Sequence, residues 1–201
     1  MRQLLLDFTQ APAPTFANFI HGGNAELFHA LEAATRGALA ERVMYVWGES
    51  GAGKTHLLSA FRDEAGARPR VLAIDDVERL GEDEQAALFN AFNDHGFAFL
   101  LVTASAPPAE VPIRRDLATR LATGLTFRLL PLSDAEKGEA LAAHAHSRGF
   151  DLSGEVKSYL LTHARRDMGS LMSALDTLDR YSLETGRPVT VPLLKAAMPS
   201  P

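Results

Sequence analysis

The segment Gly48-Glu49-Ser50-Gly51-Ala52-Gly53-Lys54-Thr55 sets the tightest limit on what this chain can be. It satisfies G-x-x-x-x-G-K-[ST] at every fixed position. The apolar run Val43-Met44-Tyr45-Val46-Trp47 before it reads as a buried strand, and His56-Leu57-Leu58-Ser59-Ala60-Phe61 after it reads as the start of a helix. In that context the loop is a phosphate cradle. Gly48, Gly51 and Gly53 allow sharp turns and bring successive N–H groups close to an anion. The helix beginning near Lys54 aims the positive end of its dipole at the same place. Lys54 is expected to reach the β- and γ-phosphates, and the Thr55 hydroxyl to ligate Mg²⁺.

A second half-site follows. Val71-Leu72-Ala73-Ile74-Asp75-Asp76 is a buried strand ending in two carboxylates. Asp75 at the strand end is placed to hold Mg²⁺, usually through water. Asp76 is placed to orient or polarise the attacking water. Phe97 to Thr103 gives another buried strand, whose polar end Thr103-Ala104-Ser105 is expected beside Asp75, near the γ-phosphate. Thr126-Phe127-Arg128-Leu129 gives the last core strand.

Composition narrows the surroundings. With 46% hydrophobic and 22% charged residues over 201 positions, the chain has the balance of an ordinary globular protein with room for one α/β core and a small appendix. It holds no apolar run that could span a bilayer and no signal-peptide pattern at Met1-Arg2-Gln3, so no membrane association is expected. The absence of cysteine excludes disulfides and thiolate metal sites and fits a cytoplasmic location. A net charge of −5 disfavours wrapping nucleic acid, so a role on DNA is expected only indirectly.

The remaining segments fall on either side of this core. Residues 1–14 read as an apolar hexapeptide, Gln3-Leu4-Leu5-Leu6-Asp7-Phe8, on a proline-containing tether, Ala11-Pro12-Ala13-Pro14. Two readings stand: a docking peptide whose alternate side chains enter a partner's pockets, or an arm packed on its own domain. Phe16 and Phe19 belong to an aromatic–glycine loop that can close over a base, anchor the core, or both. Asn24 is expected to cap a helix over Ala25–Ala40. A helix is expected over Glu82–Asp94, and a short one over Ile113–Leu121 carries Arg114, Arg115 and Arg120. An arginine there can face solvent, pair with Asp116, or reach a neighbouring subunit. Beyond Leu132 the chain reads as helices only: Asp134–Arg148, Glu155–Arg165, Met168–Thr185 and Pro192–Ala197, with a capping box at Ser133 and Glu136. His144 and His146 cannot share a helix face, which argues against a metal site.

Taken together, G-E-S-G-A-G-K-T-H-L-L, A-I-D-D, R-D-L-A-T-R-L and the helical lid resemble a DnaA-related AAA+ ATPase of the replication-initiator clade, and most of all the regulatory inactivators of DnaA. The resemblance covers almost the whole chain. It implies an AAA+ three-layer α/β core over 15–131 and an all-α lid domain over 132–201. It implies a nucleotide site, for ATP or ADP with Mg²⁺, made of Gly48, Gly51, Ala52, Gly53, Lys54, Thr55, His56 and the lid's Arg166. Thr55 and Asp75 fall to the metal, and Asp76 to catalysis. Ser105 falls at the first sensor position, and Arg120 matches the arginine that acts in trans on ATP bound to DnaA. Gln3, Leu4, Leu6 and Phe8 match the peptide by which bacterial proteins bind the polymerase III β sliding clamp. The implied partners are therefore DnaA and the clamp, with self-association into a homodimer left open.

Two departures carry their own expectations. Between Thr55 and Val71 there is room for one helix and a turn, where relatives insert a further strand and helix, so a four-stranded parallel sheet lacking the usual edge strand is expected. Ser105 is shorter than the usual Asn or Asp, which points to weak hydrolysis by this chain itself. Two other functions remain open at this stage: an autonomous motor resembling a helicase loader, and a clamp-tethered binding module with a vestigial nucleotide site.

Overall fold

The computed structural model describes residues 13–66, 68–164 and 167–197. Its core is one parallel sheet in the order β2-β3-β1-β4, built from β1 (Val43–Trp47), β2 (Val71–Ile74), β3 (Phe99–Ala104) and β4 (Leu125–Arg128). The central strands β1 and β3 are fully apolar in the middle because both of their faces are covered. Tyr45 pairs in register with Val102 on one side and with Thr126 on the other.

Alternation along the strands sends side chains to two layers. Met44, Val46 and Leu101 pack against α1 (Ala25–Thr35) and α2 (Lys54–Ala65), whose Leu27, Leu31, Leu57 and Phe61 close that layer. Val43, Tyr45, Leu100 and Val102 face the other way, toward Leu88 of α3 (Glu82–Asn93) and Leu117 and Leu121 of α4 (Arg115–Leu121). This is the three-layer arrangement that the family resemblance implied.

The chain passes from α2 to β2 through a short turn, so β2 is the sheet edge and the expected fourth-strand limit holds. The edge is blunted by a side chain: the Arg62 guanidinium of α2 donates to the Ala73 carbonyl.

Some element bounds shift. Helix α1 stops at Thr35 and not at Ala40, because Gly37 turns the chain into the left-handed region at φ +70°. Asn24 precedes α1 but its side chain makes no cap; it is spent on Leu130, whose N–H it accepts at 2.7 Å and whose carbonyl it meets at 3.0 Å. A residue that looks like a local cap thus staples the α1 entrance to the chain leaving the sheet. Phe97 is buried but lies outside β3, covered by Phe92 edge-on at 5.1 Å.

Past Leu132 come α5 (Asp134–Ser147), α6 (Gly154–His163), α7 (Met168–Thr185) and α8 (Val191–Ala197), packed around Leu141, Leu160, Leu171, Leu175 and Leu178. Ser133 and Glu136 form the capping box of α5. Ser153 caps α6 and Asp167 caps α7. His144 is not free for metal: its Nε2 lies 2.7 Å from Asp176, which Arg148 also grips at 3.0 Å while holding Asp179 at 2.8 Å. No helix among the described residues is long and apolar enough to cross a membrane.

Candidate nucleotide-binding site

The site lies where β1 ends and α2 begins. Gly51 and Gly53 take φ +80° and +103°, values that a side chain would strain, and so the loop wraps back on itself. Gly48 is needed for a different reason: a Cβ there would lie 2.6 Å from the Leu129 carbonyl oxygen. Lys54 is the first residue of α2 and is buried. Its ammonium donates to the Gly48 carbonyl at 2.9 Å and the Glu49 carbonyl at 3.2 Å, which folds it across the loop.

The next residue reaches β2. Thr55 Oγ1 donates to Asp75 Oδ2 at 2.8 Å, and Thr103 Oγ1 of β3 donates to Asp75 Oδ1 at 2.5 Å. Thr103 also accepts the Asp76 N–H at 2.9 Å. Asp76 itself sits at φ 44°, ψ 66°, a left-handed conformation for a residue with a Cβ, and its carboxylate meets Arg79 at 3.3 Å. Asp75 and Asp76 therefore do end the strand beside the phosphate loop, as their spacing suggested. The Thr55 hydroxyl and the Asp75 carboxylate, both hard oxygens, form a donor set suited to Mg²⁺, which keeps most of its water and takes one or two carboxylates.

Ser105 lies just beyond Thr103 and is exposed. Its N–H donates to Glu78 Oε1 at 2.9 Å, while the other Glu78 oxygen is buried without a hydrogen bond. The same loop is held by Tyr45, whose hydroxyl donates to the Ala106 carbonyl at 2.8 Å. Burial, with the negative Glu78 adding to it, pushes the Tyr45 phenol far above its usual value, so it remains a donor.

The N-terminal segment forms a second wall. The Phe19 ring is 3.3 Å from where a Gly53 Cβ would be, and it meets the His56 ring edge-on at 5.4 Å. His56 Nε2 is 3.0 Å from Asn18 Oδ1. Burial lowers the His56 pKa below its ordinary value. Phe16 and Phe19 also pack on Phe28 and the α1–α2 layer, so core anchoring and a position on the loop coexist. The lid supplies a third wall. A Cβ on Gly51 would lie 3.2 Å from Asp167 Cβ, at the start of α7. An open groove of about 490 Å³ runs from Asp167 along Ser170, Ser173 and Thr177.

Thus Gly48, Gly51, Ala52, Gly53, Lys54, Thr55, His56, Asp75, Asp76 and Ser105 come from one loop, one helix start and two neighbouring strand ends. Arg166, and Gln3, Leu4, Leu6 and Phe8, lie outside the described residues. Arg120 stands apart from this site on α4. It is exposed, with no hydrogen-bond or ion-pair partner for its side chain among the described residues. The partner of Asp116 is Arg114, at 2.6 Å, and that bond holds the Asp116 carboxyl below its usual range. Sequence reasoning gave no role to Glu78 here, and it placed the polar end of β3, Thr103 included, beside Asp75 without assigning the Thr103 hydroxyl its two bonds. For Thr103 the signal was a hydroxyl ending an otherwise apolar strand.

Residues 134–198 match the family described as "Hda, lid domain". An uncharacterized protein of Haemophilus influenzae is 32% identical, covering 96% of this chain and 97% of its own length. Among solved structures, domain III of the Thermotoga maritima replication initiation protein DnaA superposes with a TM-score of 0.77 at 20% identity, covering 94% of this chain and 97% of that one. AMPPCP-bound DnaA from Aquifex aeolicus superposes with a TM-score of 0.70 at 21% identity, covering 89% of this chain and 68% of that one.

Proposed function

Since this chain belongs to the Hda-like, DnaA-related AAA+ proteins, we propose that it is a regulatory inactivator of DnaA, which holds its own adenine nucleotide as a conformational ligand and triggers hydrolysis of ATP on DnaA. The observation that carries this reading is Arg120, exposed and without a side-chain partner among the described residues, on a helix whose N-cap arginine, Arg114, is occupied by Asp116. Leu117 and Leu121 bury one face of α4 completely, which fixes the helix and leaves Arg120 outward. A guanidinium supplied across an interface stabilises the charge that develops on a transferring phosphoryl group, by about 10³–10⁵ in rate for the best fingers.

In this chain's own site, Lys54 exchanges its loop carbonyls for phosphate oxygens, and the loop N–H groups complete the cradle. Thr55 and Asp75 would hold Mg²⁺, which would supply neutralisation of phosphate charge. Asp76 would orient water, and the short side chain of Ser105 at the first sensor position favours weak turnover. Residues 3–8 tether the protein to the sliding clamp, so that inactivation follows DNA synthesis. Contact with DNA is indirect, in keeping with the net charge of −5.

The test is hydrolysis of ATP by purified DnaA with DNA-loaded clamp, with and without this protein. Stimulation that is lost in Arg120→Ala while clamp binding persists supports the reading. Clamp binding without any effect on DnaA sinks it. The assembled Thr55–Asp75–Thr103 cluster favours one other reading, an autonomous ATPase; robust hydrolysis without DnaA selects that one.

A further inference from the structure

Thr103 is wholly buried, and its hydroxyl bonds both aspartates that follow β2, the Asp75 carboxylate and the Asp76 backbone N–H. It donates to Asp75 Oδ1 and accepts from the Asp76 backbone N–H. A hydroxyl has one proton to give, so using it on Asp75 leaves its lone pairs for Asp76, and both demands are met. The two consequences differ. Asp75 has one oxygen anchored on β3, which leaves Oδ2 aimed at Thr55 on the far side. Asp76 is kept in a left-handed conformation that its Cβ disfavours, and the Thr103 bond is one of the contacts that hold it there.

We infer that Thr103 is a positioning residue for the metal: it fixes the Asp75 carboxylate so that Oδ2, with the Thr55 hydroxyl, faces the cation. This rests on the reading of Thr55 and Asp75 as the Mg²⁺ ligands. Partners of a ligating carboxylate orient it, and losing such a partner lowers metal affinity by about 10–100-fold. Thr103 does not touch the nucleotide in this scheme. Its removal therefore weakens the metal and spares metal-free binding of the base and phosphates by the loop. A purely structural threonine would weaken both equally or neither.

The experiment uses the full chain and a fluorescent ATP analogue, titrated first in EDTA and then at fixed nucleotide with rising Mg²⁺. Thr103→Val keeps the shape and removes the hydroxyl; Thr103→Ser keeps the hydroxyl. The expected result is unchanged binding in EDTA for both, a half-saturating Mg²⁺ concentration about 10–100-fold higher in Thr103→Val, and recovery toward wild type in Thr103→Ser. Should Thr103→Val not fold, Thr103→Ala against Thr103→Ser makes the same comparison. A wild-type Mg²⁺ profile in the hydroxyl-free variant, or a loss that Thr103→Ser shares, overturns the inference. Wild-type protein that binds nucleotide without any Mg²⁺ dependence overturns the underlying metal reading instead, and is told apart because no variant is needed to see it.

Discussion

His56 Nε2 lies 3.0 Å from Asn18 Oδ1, which ties the first turn of the phosphate-loop helix to the root of the N-terminal arm. Asn18 extends the tie by donating through Nδ2 to the Ala13 carbonyl at 2.8 Å. Its Oδ1 already accepts the Thr15 N–H, and the other group near Nε2 is the Thr15 carbonyl at 3.4 Å, so Nε2 faces acceptors only and carries the proton of a neutral ring.

Burial lowers the His56 pKa from 6.5, which gives stability a defined pH dependence. The unfolded chain takes up a proton at this residue as pH falls through 6.5, while the folded chain does so only lower down. The contribution is thus fully present above 6.5 and is lost as pH drops from there toward the folded value. Thermal melts over that range should show a falling Tm for wild type and a shallower fall for His56→Gln. Parallel slopes in the two proteins would contradict this account.

Gly48 offers a test of the loop that does not involve nucleotide. A Cβ there meets the Leu129 carbonyl oxygen at 2.6 Å, and neither the loop nor the chain after β4 can give way without breaking the 2.7 Å bond from the Leu129 N–H to the Trp47 carbonyl. Gly48→Ala is expected to cost about 1–3 kcal/mol. At about 2–4 °C per kcal/mol for a chain of this size, that is a Tm loss of several degrees. A melting curve matching wild type would show that the turn relaxes freely.

Much of this was legible in the sequence, for a physical reason: the phosphate loop requires a strand before it and a helix after it, and the shortened span from Thr55 to Val71 leaves no room for a fifth strand. Asp75 beside Thr55 followed from the same logic. What local pattern does not carry is partnership across the chain. Asn24 looks like a helix cap but bonds Leu130, 106 residues away, and although the polar end of β3 was expected beside Asp75, the bonds of the Thr103 hydroxyl to Asp75 Oδ1 and to the Asp76 N–H follow only from β2 and β3 being neighbours in the sheet. The spacing of His144 and His146 did not tell that His144 meets Asp176, which Arg148 shares with Asp179; that needed the α5–α7 packing.

That lid cluster is the next test. Arg148 bridges Asp176 and Asp179, and Asp179 is only 8% exposed, so removing the guanidinium leaves a buried carboxylate without its charged donor. Arg148→Met preserves much of the stem and deletes the charge. A loss of about 1.5–3 kcal/mol is expected for hydrogen bonds to charged groups. It should be largely recovered when Asp179→Asn is added, since the stranded charge is then gone. Additive losses in the double variant, measured by denaturant unfolding, would mean that Arg148 acts through packing and not through these carboxylates.

Trp47 makes the proposed nucleotide site observable. It is the chain's one tryptophan, it ends β1 directly before Gly48, and the Arg128 guanidinium lies 5.2 Å from its ring centroid. Arg128 also reaches Glu49 in the phosphate loop at 3.4 Å, so a shift of the loop on binding phosphate moves the cation over the ring. Adding ATP or ADP should therefore change Trp47 emission in a saturable way. Lys54→Ala should remove that response by removing binding, since it takes away the ammonium that lies across the loop; unpairing the two loop carbonyls costs about 1–3 kcal/mol of stability, which a melting curve checks separately. Arg128→Ala should behave differently, altering the resting emission and damping the response while nucleotide affinity, measured by calorimetry, stays near wild type. An undiminished response in Arg128→Ala would place the signal elsewhere, and undiminished affinity in Lys54→Ala would remove the phosphate-loop reading from which the proposed site is built.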